Sequence, residues 1–271
     1  SGCNDGLFEK IDASKLPKGE NGAGPLEDFV PGAITDCAIA NIAYANVIGY
    51  DSSKFTGDKP TKVADFFDLK KFPGKRGMKK EAKVNLEFAL MADGVAAGDV
   101  YKVLATKEGV DRAFKKLETI KSSVVWWEAG AQPPQLLASG EVTMTTAYNG
   151  RLFTPAVKEN KPFVIIWDGQ QQVFDNWAIV KGTKNKDLAL DFVGFSTSTK
   201  PLADQATYIP YGPARKSSAP LVGKFEDGKT EMAPHMPTNP DNMKNALVQD
   251  VKFWADKYDE LNERFVAWIG K

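Results

Sequence analysis

The chain has 271 residues, with 35 Lys+Arg against 35 Asp+Glu and hence zero formal net charge; 42% of it is hydrophobic and 26% charged. That length buries a sizeable core in one large domain or two lobes. The balanced charge speaks against a nucleic-acid partner, which calls for a basic excess or stripe, and no stretch approaches the roughly 20 apolar residues of a membrane span.

In chain order, residues 2–19 read as a short helix or turn followed by a loop. "DCAIANIAYANVIGYD" (36–51) is a run of small and β-branched residues, one or two buried strands. A short helix is expected at 62–69, and a partly buried helix at 79–95, closed near Gly94. The segment 109–121 is amphipathic, with Val110, Phe114, Leu117 and Ile120 on one side. Then strands at 122–128 and 141–148 flank a helix at 133–140 that starts at proline and ends at glycine. Strands follow at 161–169 and 176–182, a helix at 185–198, and a helical C-terminus over 242–271 broken into two. Helices alternating with short buried strands argue an α/β fold. In "TTAYNGRLF" (145–153) a strand runs into a Tyr-Asn-Gly turn signal, with Arg151 just beyond. It reads as a surface charge or as part of an anion site.

Nothing points to a cofactor. Two cysteines, Cys3 and Cys37, and one histidine, His235, are too few for a structural zinc site of the Cys/His type. His235 lies in the proline-bracketed "EMAPHMPTNP", a poor place for a catalytic triad. The cysteines are either free thiols or a pair. A bond closing that loop is worth about 4 kcal/mol and implies an oxidising compartment; spacing alone leaves both open.

Six segments in register carry a resemblance: "GLFEKIDASKL" (6–16), "VIGYDSSKF" (47–55), "FALMADGV" (88–95), "WWEAGAQPPQLLASGEVTMTTAYNGR" (126–151), "FDNWAIVKGTKNKDLALDFVGF" (174–195) and "YIPYGPARK" (208–216). The chain resembles the polyamine-type (spermidine/putrescine, GABA-like) periplasmic substrate-binding proteins of ABC transporters over nearly its whole length. The resemblance implies a two-lobed type II periplasmic binding protein, α/β in each lobe, with ligand held in a cleft and more than one crossover. It assigns 1–45 and 173–219 to lobe one and 46–172 and 220–271 to lobe two. It also implies that roughly the first 75 residues of the family, on the scale of half an ordinary domain, precede the first motif, so that lobe one is incomplete here. A periplasmic monomer, an ABC permease partner, a small amine or amino-acid ligand and a Cys3–Cys37 disulfide are further implications.

The resemblance also marks residues. In polyamine binders an acid matching Asp175 pairs with a ligand ammonium, and an aromatic matching Tyr148 packs on the alkyl chain or cation, worth about 0.5–2 kcal/mol. The plain alternatives are a cap or salt bridge for Asp175 and core packing for Tyr148. Arg151 does not suit a polyamine, because a second cation repels its charged ends. A desolvated guanidinium favours a carboxylate, and γ-aminobutyrate-binding members pair such an arginine with the downstream aspartate. Arg151 and Asp175 together would then read a zwitterion. Trp127 or Glu128 is a further cleft candidate, one aromatic of the pair being core since strand neighbours face opposite ways. Tyr211 matches a cleft tyrosine or packs at a hinge. The lysine-rich run 76–85, where polyamine binders carry acids, reads as a solvated helix face. Two other readings remain: ferric-ion binding through Tyr208 and Tyr211, and a carboxylate enzyme using Asp175 and Glu128.

Overall fold

The computed structural model describes residues 2–271. Seven strands, β1 (Ala38–Asp51), β2 (Arg76–Lys79), β3 (Val124–Trp127), β4 (Met144–Tyr148), β5 (Phe163–Ala178), β6 (Gly212–Pro213) and β7 (Leu247–Val248), are named among the described residues. The helices are α1 (Pro25–Asp28), α2 (Asn85–Ala92), α3 (Val100–Leu104), α4 (Lys107–Glu118), α5 (Gln132–Ala138), α6 (Asn149–Lys158), α7 (Lys186–Ser196), α8 (Thr199–Gln205) and α9 (Val251–Ile269). Two compact units result, residues 1–44 with 173–239 and residues 45–172 with 240–271. The chain changes unit inside β1 and inside β5.

In the second unit the strand order is β3-β2-β4-β1-β5-β7. β2 runs parallel to both β3 and β4, while β1 is antiparallel to β4 with Asn46 opposite Tyr148. Its main core gathers Phe66, Phe72, Phe88, Leu90, Phe114 and Phe265, all buried. α4 forms as its pattern predicts: Thr106 caps it by accepting from the Gly109 amide at 3.0 Å, and Val110, Ala113, Phe114 and Leu117 face inward. α9 is one helix, capped by Asp250 on the Phe253 amide at 2.9 Å, with Trp254, Leu261 and Phe265 buried.

The first unit has its own core of Ile11, Leu16, Phe29, Ile39, Ile179, Val193 and Leu202. β6 pairs with the early part of β1, Ile42 opposite Pro213. The Cys3–Cys37 disulfide is formed and lies in this unit. Residues 220–239, assigned from the sequence to lobe two, fall in the first unit. The Glu226 amide donates to the Thr207 carbonyl at 2.9 Å, and Thr238 packs directly on Gly212, which holds them there.

Four element expectations change. The run 76–85 is not a solvated helix face: it opens with β2, whose Arg76, Gly77 and Met78 are buried. A helix cannot run straight through, because Val84 takes φ 76°, and α2 begins only after it. The strands foreseen at 161–169 and 176–182 are one, β5, passing through Gly169 at φ 70°. The Tyr-Asn-Gly turn signal opens a helix: Asn149-Gly150 is the first turn of α6. The C-terminal helix is single, preceded by β7 and a loop.

Candidate ligand-binding site

Because β2, β3 and β4 are mutually parallel, their carboxyl ends lie along one edge of the second unit's sheet. In α/β sheets that edge is where ligands bind. The three terminal residues are Lys79, Trp127 and Tyr148. α6 starts immediately after Tyr148, so its first turn presents amide N–H groups and the positive end of its dipole there.

Trp127 is buried at 2% exposure and meets the half-buried Tyr148 edge-on, ring centroids 6.1 Å apart at 77°. Its indole Nε1 makes no hydrogen bond among the described residues. The β3–α5 connection wraps past Tyr148, and a Cβ on Gly130 would stand 2.8 Å from Tyr148 Cε2 and 3.9 Å from Arg151 Nε. Only glycine therefore fits between Tyr148 and the connection, and the same measurement places Arg151 beside the tyrosine. Gln132 Oε1 fixes this connection by accepting from the amides of Glu128 and Ala129 at 2.8 and 2.7 Å. Arg151 also borders a hollow of about 330 Å³ between α5 and α6, with Ala131, Pro134, Gln135 and Thr154.

The five arginines of the chain separate sharply. Arg112 pairs with Asp93 at 2.6 Å and Arg264 with Asp111. Arg76 and Arg215 are fully buried and bonded to oxygens on several sides. Arg151 is exposed and, among the described residues, has neither an ion-pair nor a hydrogen-bond partner.

Lys79 was not foreseen as a site residue. Its ammonium is 2.7 Å from Glu81 and lies 5.8 Å from the Tyr148 ring centroid. Burial alone would lower its pKa, but Glu81 and Tyr148 together raise it, so it stays charged. Glu128 is exposed and tied to Lys80 at 3.2 Å. In the first unit, Asp175 sits on β5, exposed and without a partner for its carboxylate among the described residues. Partial desolvation raises its pKa. Tyr211 stacks at a tilt on Tyr44, centroids 6.0 Å apart, and Tyr208 is exposed.

Residues 2–238 match the family of bacterial extracellular solute-binding proteins. The chain belongs to that family. Among its relatives, the gamma-aminobutyric acid-binding protein of Pseudomonas aeruginosa is 44% identical over 270 residues, covering 100% of this chain and 72% of the relative. A solved GABA receptor superposes with TM-score 0.82 at 35% identity, covering 100% of this chain and 78% of the other. An ABC transporter substrate-binding protein from Bradyrhizobium japonicum USDA 110 gives TM-score 0.84 at 32% identity, covering 98% and 78%. The α/β fold is thus that of the type II periplasmic binding proteins, and this family member is a solute-binding receptor of the ABC-importer class.

Proposed function

We propose that this receptor binds a short ω-amino acid of the γ-aminobutyrate type, with Arg151 at its carboxylate, Tyr148 against its alkyl chain and Asp175 at its ammonium. The observation that carries the reading is the lone arginine. Four arginines are already satisfied by protein oxygens, and Arg151 stands beside Tyr148 with none. A guanidinium with no acid of its own is suited to grip a carboxylate through two parallel hydrogen bonds. Asp175 offers the opposite charge, also without a partner among the described residues. The relatives named for γ-aminobutyrate support the same choice. A diamine suits this set less well, because Arg151 and Lys79 repel its second ammonium and both Glu81 and Glu128 are already engaged by lysines.

In this reading the protein binds its solute as a periplasmic monomer, hands it to a permease and performs no chemistry. Isothermal titration with 4-aminobutanoate and 1,4-diaminobutane tests it. Arg151→Ala should weaken the amino acid about thirtyfold, on the order of 2 kcal/mol for a charge-assisted bond, and leave the diamine unchanged or tighter. Unchanged amino-acid affinity in that variant would sink the reading.

A further inference from the structure

Asp175 has an aromatic neighbour on its own strand. Side chains two apart in a strand share a face, so along the end of β5 Asp175 and Trp177 point one way and Phe174 and Asn176 the other. The Phe174 side is the packed one: Phe174 joins the first unit's core and lies 3.4 Å from where a Cβ on Gly32 would stand. On the Asp175 side, Trp177 remains 37% exposed and meets Phe192 of α7 edge-on, ring centroids 5.1 Å apart at 77°. Phe192, itself 50% exposed, orients the indole without covering it. An open aromatic pair on the same strand face as an acid without a partner is more than packing requires.

Several rings of this chain already hold a protein cation: Lys121 stands 4.8 Å from the Trp268 ring centroid and Arg264 4.4 Å from that of Phe114. Trp177 holds none among the described residues. Indole is also the ring that attracts a cation best, within about 6 Å of its centroid. Two residues of strand separate the Asp175 and Trp177 backbones by about 7 Å, so an ammonium paired with the carboxylate comes within reach of the indole. Resting on the ω-amino-acid reading above, we propose that Trp177 is the aromatic wall of the ammonium subsite that Asp175 anchors. The carboxylate neutralises the ammonium, and the ring face attracts a flank of it that one acid leaves uncovered. A neutral hydroxyl in the same place gains neither the charge pairing nor the attraction of the ring.

Isothermal titration of the whole chain with 4-aminobutanoate and 4-hydroxybutanoate tests this. Trp177→Leu should weaken 4-aminobutanoate about fivefold, the worth of one cation–ring contact. It should leave 4-hydroxybutanoate, whose far end is uncharged, within about twofold. Trp177→Phe, which keeps a ring, should retain most of the amino-acid affinity. A nuclear Overhauser contact between an indole and the C4 methylene of bound 4-aminobutanoate, lost in Trp177→Phe, is the second readout, and it decides the matter if the hydroxy acid binds too weakly to titrate. Unchanged amino-acid affinity in Trp177→Leu, or no such contact, overturns the proposal. So does an equal loss for both ligands, which a role confined to packing against Phe192 gives. Melting of the unliganded variants checks folding, and Trp177→Met takes the place of Trp177→Leu if the latter melts early. Failure of the parent reading shows separately: unchanged 4-aminobutanoate affinity in Arg151→Ala overturns that reading alone, whereas an unmutated protein that binds neither 4-aminobutanoate nor 1,4-diaminobutane overturns both.

Discussion

Each unit buries one arginine completely, and the two solve the problem differently. In the first unit, Arg215 faces Asp28 at 3.0 Å, both side chains at 0% exposure. Asp28 is further held by the Ser217 amide at 2.9 Å and hydroxyl at 2.7 Å, and Arg215 also donates to the carbonyls of Pro17 and Thr197. In the second unit, Arg76 has no acid in contact among the described residues. It donates to the carbonyls of Phe66 and Gly74 at 2.7 and 2.8 Å, to that of Phe72, and to the Thr143 hydroxyl at 3.2 Å. Burial lowers its pKa to about 10, with Asp68 opposing from a distance, so it remains charged at neutral pH. One unit neutralises its buried cation with an anion, while the other solvates it with peptide dipoles. A pair can be broken from either side; a dipole cage depends on the cation alone.

The largest effect should come from breaking the pair. Asp28→Ala leaves Arg215 charged, buried and without its counterion, a loss of about 3–5 kcal/mol, measured by chemical denaturation. Replacing both, as Asp28→Ala with Arg215→Met, should cost clearly less than the sum, since no buried charge is left alone. A double variant as damaged as the sum of the singles would mean the pair is not what holds this region together.

The titrating groups sharpen the contrast, with opposite signs in the two units. For Asp28, burial pushes the pKa up, but the bonds from Ser217 and Arg215 outweigh it and the net shift is downward. Its stabilisation is therefore present above the unfolded carboxylate range and is lost as pH falls through the folded value. Glu87 in the second unit is the reverse. Full burial raises its pKa to about 7, although Trp254 Nε1 at 2.7 Å and Tyr101 Oη at 3.2 Å donate to it. Its stabilisation is complete below the unfolded value near 4.5 and fades as pH rises through about 7, by up to about 3 kcal/mol in all. Glu87→Gln keeps an oxygen for both donors and removes the ionisation. Denaturation between pH 5 and 8 should flatten in that variant, and an unchanged slope would assign the pH dependence elsewhere.

Arg76→Met should cost about 2 kcal/mol, because the buried carbonyls of Phe66, Phe72 and Gly74 lose their donor together. Arg76→Lys should not rescue it: one compact ammonium cannot span the oxygens that a planar fork reaches. Full rescue by lysine would show that charge, rather than the geometry of the cage, is what matters here.

These two arginines also show where the sequence was readable. The amphipathic stripe of α4, the proline start of α5 and the strand ending at Tyr148 follow from local pattern, and with them the α/β class. The disulfide, and the candidate roles of Tyr148, Trp127 and Asp175, came from the family resemblance, whereas Arg151 stood out first from its place after a strand and a turn signal. What failed was the run 76–85. Arg76, Lys79, Lys80 and Lys83 look like a solvated helical face, yet Arg76 is internal and Lys79 ends a central strand. Burial of Arg76 depends on oxygens up to 67 positions away, and the placing of Lys79 depends on β2 pairing with β3 and β4. Neither is a local property. The 220–239 segment was misassigned for the same reason, its ties to Thr207 and Gly212 being tertiary.

The smallest effect on stability is expected at Arg151, and it is the most informative. Arg76 and Arg215 are framework cations whose removal strands buried partners. Arg151 is exposed and holds no protein oxygen among the described residues, so nothing is stranded when it goes. Arg151→Ala should therefore change the denaturation free energy by less than about 0.5 kcal/mol, the range of an uninvolved surface position. The same variant is expected to lose most of its affinity for 4-aminobutanoate. That combination, stability kept and binding lost, separates a cation reserved for ligand from one that the fold consumes. A loss of 2 kcal/mol or more, as expected at Arg76, would make Arg151 another framework cation, and its claim on the ligand's carboxylate would fall with it.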